Sequence, residues 1–291
     1  MTRTLSLAAL LSLGLLACSD KGDDSAAGTD GTDGTDATDS TDGTGDGTDG
    51  TEPVTFSIAG TAVMFDNFTQ PAAEGLCVEI LDPTNVLGGG DPVVVSETTV
   101  GADGAWQADG VPVVSLGLFA QVKDCGAEGT TFPSANGISS GSYADVSTGD
   151  VVSGVTALTI SAELAGVMQT ELTAAGFAAD EAAGVTGNIA EDGLVVGFIW
   201  DINSAPINDA TMTCGSCVVY YADGDPADGL FTTGGAANTG TSVDGNGLFA
   251  VPAAQLTTYQ PAAPGGYEFT STPLAALPAS AVIVAFTAEN M

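Results

Sequence analysis

The stretch Thr99-Val-Gly-Ala-Asp103-Gly104-Ala-Trp106 returns later in the chain as Ser242-Val-Asp-Gly-Asn246-Gly247-Leu-Phe249. Asp-Gly and Asn-Gly supply two neighbouring residues that tolerate a positive φ, which a tight two-residue β-hairpin turn requires. Side chains alternate across a strand, so the aromatic residue two positions after the glycine faces inward. The sequence therefore predicts a hairpin that delivers an aromatic residue to a core, and predicts it twice.

A wider repeat surrounds these hairpins. Each copy places a glycine-containing strand and then a proline before a second strand, as in Gly60-Thr-Ala-Val63 with Pro71 and Gly197-Phe-Ile-Trp200 with Pro206. This pattern resembles the carboxypeptidase-regulatory-like, or transthyretin-like, β-sandwich, which occurs in tandem on exported bacterial proteins. Fibronectin-type and collagen-adhesin B-type sandwiches share the hairpin. The resemblance implies a scaffold, spacer or binding module, and it brings no peptidase residues with it.

Period-two apolar runs bounded by turn residues dominate the rest of the chain and predict short strands. They lie at 55–65, 76–81, 92–100, 105–108 and 116–122, and then at 194–202, 210–213, 217–221, 248–251, 267–272 and 281–287. Many short strands are typical of a sandwich. The predicted fold class is therefore all-β, with two transthyretin-like or Ig-like β-sandwich domains at 54–160 and 192–291.

A segment with one short helix is expected between the two sandwiches, at 161–191. Leu164, Met168 and Leu172 recur at helical spacing. Ser161 is the predicted N-cap and Gly176 the predicted stop. We interpret this segment as a helical connector whose apolar stripe packs against the sandwiches.

The first seventeen residues predict a cleavable lipoprotein signal peptide. Arg3 is followed by an uncharged run, Leu5 to Leu16, which is too short for a membrane-spanning helix of about 20 residues. Leu15-Leu16-Ala17-Cys18-Ser19 then resembles the lipobox of bacterial lipoproteins. The resemblance implies lipidation of Cys18 and, because Ser19 follows it, a lipid-anchored protein of the outer membrane on its periplasmic or cell-surface side. An ordinary secretory signal is the alternative.

Residues 18–53 predict a disordered tether, because Asp, Thr, Gly and Ser leave almost no apolar surface to bury. The whole chain of 291 residues has 37 Asp and Glu against 3 Lys and Arg, no His, and a net charge of −34. After the tether, Lys123 is the only basic residue. Phosphate contacts need Lys and Arg, so this composition argues against nucleic acid as a partner.

Four cysteines besides Cys18 predict disulfides in an oxidising compartment, and three pairings are possible. Cys77 opens a predicted strand and Cys125 ends one in the same module, so we favour Cys77–Cys125. Cys214-Gly-Ser-Cys217 then closes on itself as a structural disulfide. A redox pair would need an activating base, and a zinc site would need four ligands, so both are weaker interpretations.

The residue types present argue against an enzyme. Without histidine, His-dependent triads and His acid–base catalysis are impossible, and no phosphate-binding glycine loop occurs. Carboxylate pairs remain chemically possible, but an acidic surface accounts for them. No cofactor is predicted, apart from calcium at the alternative site described next.

Two binding sites are alternatives to a purely structural role. Asp223, Asp225 and Asp228 place three carboxylates on one loop, which would suit calcium, although the spacing differs from the usual calcium loop. Carbohydrate would need exposed aromatic residues. Trp106 and Trp200 are predicted core residues, which leaves Tyr220, Tyr221 and Tyr259 as candidates, since one of two adjacent strand tyrosines should face outward.

The sequence thus predicts a non-catalytic, lipid-anchored surface or periplasmic lipoprotein whose β-sandwiches serve as structural or interaction domains. Its expected partners are the membrane, through the lipid, and an unidentified protein or polysaccharide. A carbohydrate- or calcium-binding surface protein is the alternative.

Overall fold

Strands account for most of the regular structure in the residues that the computed structural model describes, which are 53–65, 67–126, 128–222 and 247–290. The strands are β1 (Thr55–Met64), β2 (Asn67–Pro71), β3 (Cys77–Asp82), β4 (Val93–Thr99), β5 (Ala105–Pro112), β6 (Leu118–Lys123), β7 (Thr131–Phe132), β8 (Ser134–Ile138), β9 (Val151–Ser161), β10 (Leu194–Trp200), β11 (Thr211–Thr213), β12 (Tyr220–Tyr221), β13 (Leu248–Pro252), β14 (Thr257–Ala262), β15 (Thr272–Leu274) and β16 (Ala281–Thr287). The helices are α1 (Ala162–Ala174) and α2 (Ile189–Asp192), with short 3-10 helices at Thr84–Gly88, Ala102–Gly104 and Ser140–Tyr143.

The first half of the chain packs two sheets face to face. One sheet has the order β2-β1-β9-β7, with β5 also paired to β1, and the other runs β8-β6-β3-β4. Their facing sides bury one apolar cluster that includes Phe56, Ile80, Trp106 and Leu118. Alternating side chains explain this core, because every second residue of each strand faces the opposite sheet.

The second half repeats the arrangement with fewer strands. Here β12-β13-β10-β16 packs against a three-stranded sheet of order β11-β14-β15. The apolar cluster between them includes Val195, Met212, Phe249 and Tyr259. Each half therefore has its own pair of sheets and its own hydrophobic interior.

One pairing between β8 and β16 joins the halves. The two strands are parallel, with Ser134, Ala135 and Asn136 opposite Ala281, Val282 and Ile283. As a result, an eight-stranded sheet of order β12-β13-β10-β16-β8-β6-β3-β4 runs through the described chain. A third apolar cluster, with Met168 and Leu172 of α1, covers the side of β10, β13 and β16 that faces away from the three-stranded sheet.

The sequence repeat corresponds to a structural repeat of three strands. In the first half β1 pairs antiparallel with β5 and parallel with β9, and in the second half β10 pairs in the same way with β13 and β16. Gly60 lies opposite Trp106, and Gly197 lies opposite Phe249. A Cβ atom on either glycine would come within 2.9 Å of the aromatic ring and closer still to a valine carbonyl oxygen of the parallel partner.

The predicted turn is present at its first copy, but the hairpin prediction was wrong there. Strand β4, before the turn, pairs with β3, whereas β5, after it, pairs with β1, so the turn joins the two sheets of the first sandwich. Asp103 and Gly104 both have positive φ, of 58° and 77°, as a type I′ turn requires. In the second copy Gly247 has a φ of 74°, while Asn246 lies outside the described residues.

The helix prediction is confirmed by α1. The Ser161 hydroxyl accepts a hydrogen bond from the Leu164 amide at 3.1 Å, and Gly176 has a φ of 108°. The amide of Phe177 donates to the Leu172 carbonyl, which closes the C-terminus.

The strand predictions were uneven. Ten of the eleven predicted strands correspond to observed strands, with the bounds of Ala281–Thr287 unchanged. Strands β2, β7, β8, β9 and β14 were not predicted. Tyr267–Thr272 was predicted as a strand, whereas β14 is at Thr257–Ala262, where Gln260 and Pro261 interrupt the apolar pattern. The pattern fails for β9 because its second half is buried or partly buried on both sides, from Ala157 to Ile160, so apolar and polar residues do not alternate there.

The all-β fold class is confirmed, with one helix of more than a single turn in the described residues. The described residues, which begin at Pro53, belong to one compact unit. The division at residues 160 and 192 stays a prediction. The structure places α1 immediately after the first of these positions and β10 just after the second.

We expect Gly197→Ala to destabilise the protein by about 1–3 kcal/mol, because the added methyl group would force apart Phe249 and β16. Gly166→Ala is the matched control: Gly166 lies in α1 with open space around its Cα, so alanine there should stabilise by about 0.5–1 kcal/mol. Urea denaturation of both variants would measure this. Equal effects would contradict the close approach at Gly197.

Candidate functional site on the outer face of β4, β3 and β6

Four of the predicted site residues lie outside the described residues. These are Cys18, the proposed lipid attachment point, and Asp223, Asp225 and Asp228 of the predicted calcium loop. Lipidation and calcium binding at these positions therefore stay predictions.

The prediction that a tyrosine of β12 faces solvent was wrong. Tyr220 is 9% exposed and Tyr221 is 3% exposed. The argument assumed that one side of the sheet is open to water, but β12 lies in the part of the eight-stranded sheet that is covered on both sides. Tyr220 packs into the cluster beneath α1, and Tyr221 packs into the second sandwich. Tyr259 is fully buried, so these three side chains form no carbohydrate platform.

The two tryptophans differ. Trp106 is 4% exposed within the first sandwich, as predicted for a core residue. Trp200 is partly buried and stacks on Phe198, with 4.7 Å between ring centroids, while Phe68 meets it edge-on at 6.4 Å. This stacking fixes the end of β10 against the cluster beneath α1.

Both predicted disulfides are present in the structure. Cys77 on β3 is bridged to Cys125 just beyond β6, with 4.9 Å between Cα atoms. Cys214 is bridged to Cys217, with 5.6 Å between Cα atoms, in the turn between β11 and β12. The first closes a long loop across two neighbouring strands, and the second closes a local turn.

The Cys77–Cys125 disulfide lies at one end of a polar surface, which we call the outer face. It is the side of β4, β3 and β6 turned away from the first sandwich core. Cross-strand register defines its members, which are Thr99, Cys77 and Lys123 in one row, Glu97, Glu79 and Gln121 in the next, and Val94, Leu81 and Phe119 in the third. Ordinary hydrophobic alternation would leave such a face to water.

Part of the outer face is buried instead. Glu79 is 7% exposed and Gln121 is 8% exposed. Gln121 donates a hydrogen bond at 3.1 Å to the hydroxyl of Ser280, which immediately precedes β16, and Phe119 packs against the second sandwich. Loops of the second sandwich therefore lie over this face, and burial of its polar groups requires partners.

Lys123 is the partner of Glu79. Its Nζ lies 2.6 Å from Oε1 of Glu79, and its side chain is 34% exposed against 9% for the glutamate. Lys123 is the only Lys or Arg in the described ranges. This one cation therefore neutralises the buried carboxylate of Glu79, which would otherwise be a buried charge without a partner.

The loop after β6 is organised by Asp124. Its carboxylate accepts hydrogen bonds from the amides of Thr130 and Thr131, at 2.9 and 3.0 Å, and from the Thr130 hydroxyl. Burial, the largest single effect, raises the pKa of this carboxyl. The hydrogen bonds together outweigh burial and hold the pKa below its usual value of 3.8.

A shallow cleft of about 440 Å³ opens beside this loop, lined by Lys123, Asp124, Cys125 and Pro133 among others. Its charged groups are already engaged with Glu79 and the threonines. The cleft can offer hydrogen bonds and the partly exposed Lys123 ammonium.

Within the described ranges, the structure gathers no cluster of three or more His, Cys, Asp or Glu side chains suited to a metal ion. Among the same residues, no helix is long and apolar enough to span a bilayer. The ion pair between Glu79 and Lys123 was missed at the sequence level. No sequence signal distinguishes Glu79 from the other acids, and only the register of β3 against β6 brings it to Lys123.

Comparison with known proteins adds no family. No family model and no curated protein sequence matches this chain. Among solved structures it is similar to the Bacillus anthracis TIE protein, with 11% identity over 80% of this chain and 34% of that chain, and a TM-score of 0.24. It is also similar to the shaft pilin SpaA of Lactobacillus rhamnosus GG, with 11% identity over 81% of this chain and 99% of that chain, and a TM-score of 0.24. A third similar structure is GBS52, the minor pilin of Streptococcus agalactiae, with 9% identity over 81% of this chain and 96% of that chain, and a TM-score of 0.23.

The match to the TIE protein spans about a third of that chain. The transthyretin-like resemblance stays a prediction.

Replacing Cys77 and Cys125 together by serine should destabilise the protein by about 2–4 kcal/mol. The same change at Cys214 and Cys217 should cost far less, because the loop closed by the first bridge spans 48 residues and that closed by the second spans 3. Urea denaturation of the two double variants under oxidising conditions measures the difference. A larger loss for the local bridge would contradict this ranking.

Asp124 should make stability depend on acid pH. Its pKa is lowered on folding, so its stabilising effect is complete above 3.8 and is lost as the pH falls through the lower pKa of the folded state. Asp124→Asn should therefore be less stable than the parent at pH 7, and the gap should narrow at pH values below 3.8. Asp145→Asn, at an exposed acid, is the control. Thermal melts across pH test this, and a constant gap would contradict it.

Proposed function

We propose that this chain is a non-catalytic lipoprotein of the outer membrane, anchored through lipid on Cys18. It faces the periplasm or the cell surface, where its two β-sandwiches serve as a stiff structural and interaction module. The membrane is one partner, and a protein or polysaccharide is the other.

The joint between the halves is the observation that carries this proposal. The β8–β16 pairing makes one sheet out of strands from both sandwiches, and the Gln121–Ser280 hydrogen bond adds a side-chain link 159 residues apart in sequence. A shared sheet resists bending between its halves, because rotation would break backbone hydrogen bonds that are buried from water. This is the property that a spacer or a display module needs.

The sequence supports the anchor. Leu15 to Ser19 resembles a lipobox, and several acyl chains on one cysteine give stable membrane attachment, since each buried CH₂ contributes about 0.8 kcal/mol. The Asp-rich tether from Ser19 to Glu52 would extend by self-repulsion and hold the sandwiches away from the anionic membrane.

The chemistry of the described residues supports a role without catalysis. Lys123 and Glu79 of the outer face are paired with each other, and Asp124 is hydrogen-bonded to the loop that follows it, while Glu97 of the outer face is exposed. Such a surface recognises a partner by shape, backbone hydrogen bonds and negative charge.

Mass spectrometry of the N-terminal peptide of the protein purified from membranes tests the anchor. We expect a chain that begins at Cys18 and carries acyl groups, and we expect detergent-phase partitioning in a detergent-partition assay. Cys18→Ser should abolish acylation, whereas Lys21→Ala, just outside the lipobox, should preserve it. An unmodified Cys18, or a chain that begins elsewhere, would overturn the anchored function.

A further inference from the structure

Strand β4 forms one edge of the eight-stranded sheet. Among the described residues it is paired with β3 alone, from Cys77 opposite Thr99 to Asp82 opposite Val93. An edge strand presents a row of backbone N–H and C=O groups that have no ladder partner, and another extended chain can pair with them.

The register identifies which groups of β4 point outward. The amide of Val100 donates to the carbonyl of Leu76 at 2.7 Å, and the carbonyl of Val100 accepts from the amide of Gly75 at 2.8 Å, so both backbone groups of Val100 point towards the β3 side. Hydrogen-bonded and non-bonded pairs alternate along an antiparallel ladder. Thr98 and Ser96 therefore bond to β3, while the N–H and C=O of Glu97 and Thr99 point away from it.

The side chains leave this edge accessible. Glu97 and Thr99 are exposed, and Val93 and Val94 at the other end of the strand are 44% and 48% exposed. Strand β4 contacts β5 of the opposite sheet through the side of β4 that faces the sandwich core, where the Ser96 hydroxyl donates a hydrogen bond to the Asp109 carbonyl at 2.7 Å. The contact with β5 thus uses a side chain that faces the core and leaves the outward groups of Glu97 and Thr99 to solvent.

The charge around β4 is of one sign. Glu97 lies within the strand, Asp91 precedes it, Glu74 lies beside its end and Asp109 lies on β5, and all four are exposed. The only cation in the described ranges, Lys123, is paired with Glu79. A second copy of this chain would bring the same carboxylates to the edge, so like-charge repulsion disfavours self-pairing.

We propose that β4 binds an extended, Lys- or Arg-bearing segment of a partner protein, which adds to the sheet as a further strand. The outward N–H and C=O groups of Glu97 and Thr99 pair with the backbone of the segment. The exposed carboxylates attract its cationic side chains, and Val93 and Val94 contact its apolar ones. This inference deepens the interaction role proposed above and rests on it, but it does not depend on the lipid anchor.

Residue-resolved amide hydrogen exchange tests the geometry. In the free protein the amides of Ser96 and Thr98 should be protected, and those of Glu97 and Thr99 should exchange rapidly. A synthetic peptide as long as β4, in which lysine alternates with valine, should then protect Glu97 and Thr99. Binding that leaves these two amides unprotected would overturn the proposal.

Two variants separate backbone pairing from charge. Glu97→Pro removes the outward amide but spares the bonds between β3 and β4, as edge strands permit. It should weaken binding of the peptide about tenfold, the effect of losing one or two hydrogen bonds together with a carboxylate. Glu97→Gln, the matched control, removes the charge alone and should weaken binding less, with a reduced dependence on salt.

A modified peptide keeps the test decisive if Glu97→Pro fails to fold. Methylation of alternate backbone nitrogens along one edge of the peptide preserves its charge and blocks strand pairing. The methylated peptide should lose binding. Equal binding of both peptides would show ionic association only and would refute strand addition. The acylation of Cys18 is measured separately, so failure at β4 leaves the anchor untouched.

Discussion

A glycine beneath an aromatic ring is the contact on which both sandwiches depend. Gly60 under Trp106 and Gly197 under Phe249 occupy the centre of three-stranded units in which one strand has an antiparallel and a parallel neighbour. The missing Cβ lets the ring fold down and lets the parallel strand approach at the same point. Since protein cores are close-packed, a larger residue there would displace two strands at once.

The two halves use this unit in different surroundings. In the first half it forms the outer layer, and the sheet that continues across the molecule is its partner. In the second half the unit itself lies in the continuous sheet and is covered on both sides. The outer face of β4, β3 and β6 is consequently the part of the eight-stranded sheet whose far side is covered only in part, which is why its polar residues range from the buried Glu79 to the exposed Glu97.

Local patterns predicted what depends on local chemistry. The positive φ of Asp103 and Gly104, the cap at Ser161 and the core position of Trp106 follow from residue type and spacing. The Cys77–Cys125 bridge followed from strand ends within one module. The features that were mispredicted or missed depend on which sides of a sheet are covered by other layers and on how its strands are aligned. Tyr220 and Tyr221 point to opposite sides of the sheet, as predicted, but both are buried because the sheet is covered on both sides. No local sequence pattern predicts the layer that covers the second side.

The acidic charge around β4 also explains how this edge strand can be exposed without pairing with a second copy of the chain. A valine-rich strand with free backbone groups invites self-association, and proteins commonly guard such edges with lysine or proline. Here the protection is a bulge between Val94 and Ser96 together with surrounding carboxylates. Repulsion between like copies allows the outward groups of β4 to stay unpaired without self-association. Because Lys123 is neutralised by Glu79, it does not offset the negative charge of the carboxylates around β4. The same negative charge that repels a second copy of the chain therefore favours a cationic strand.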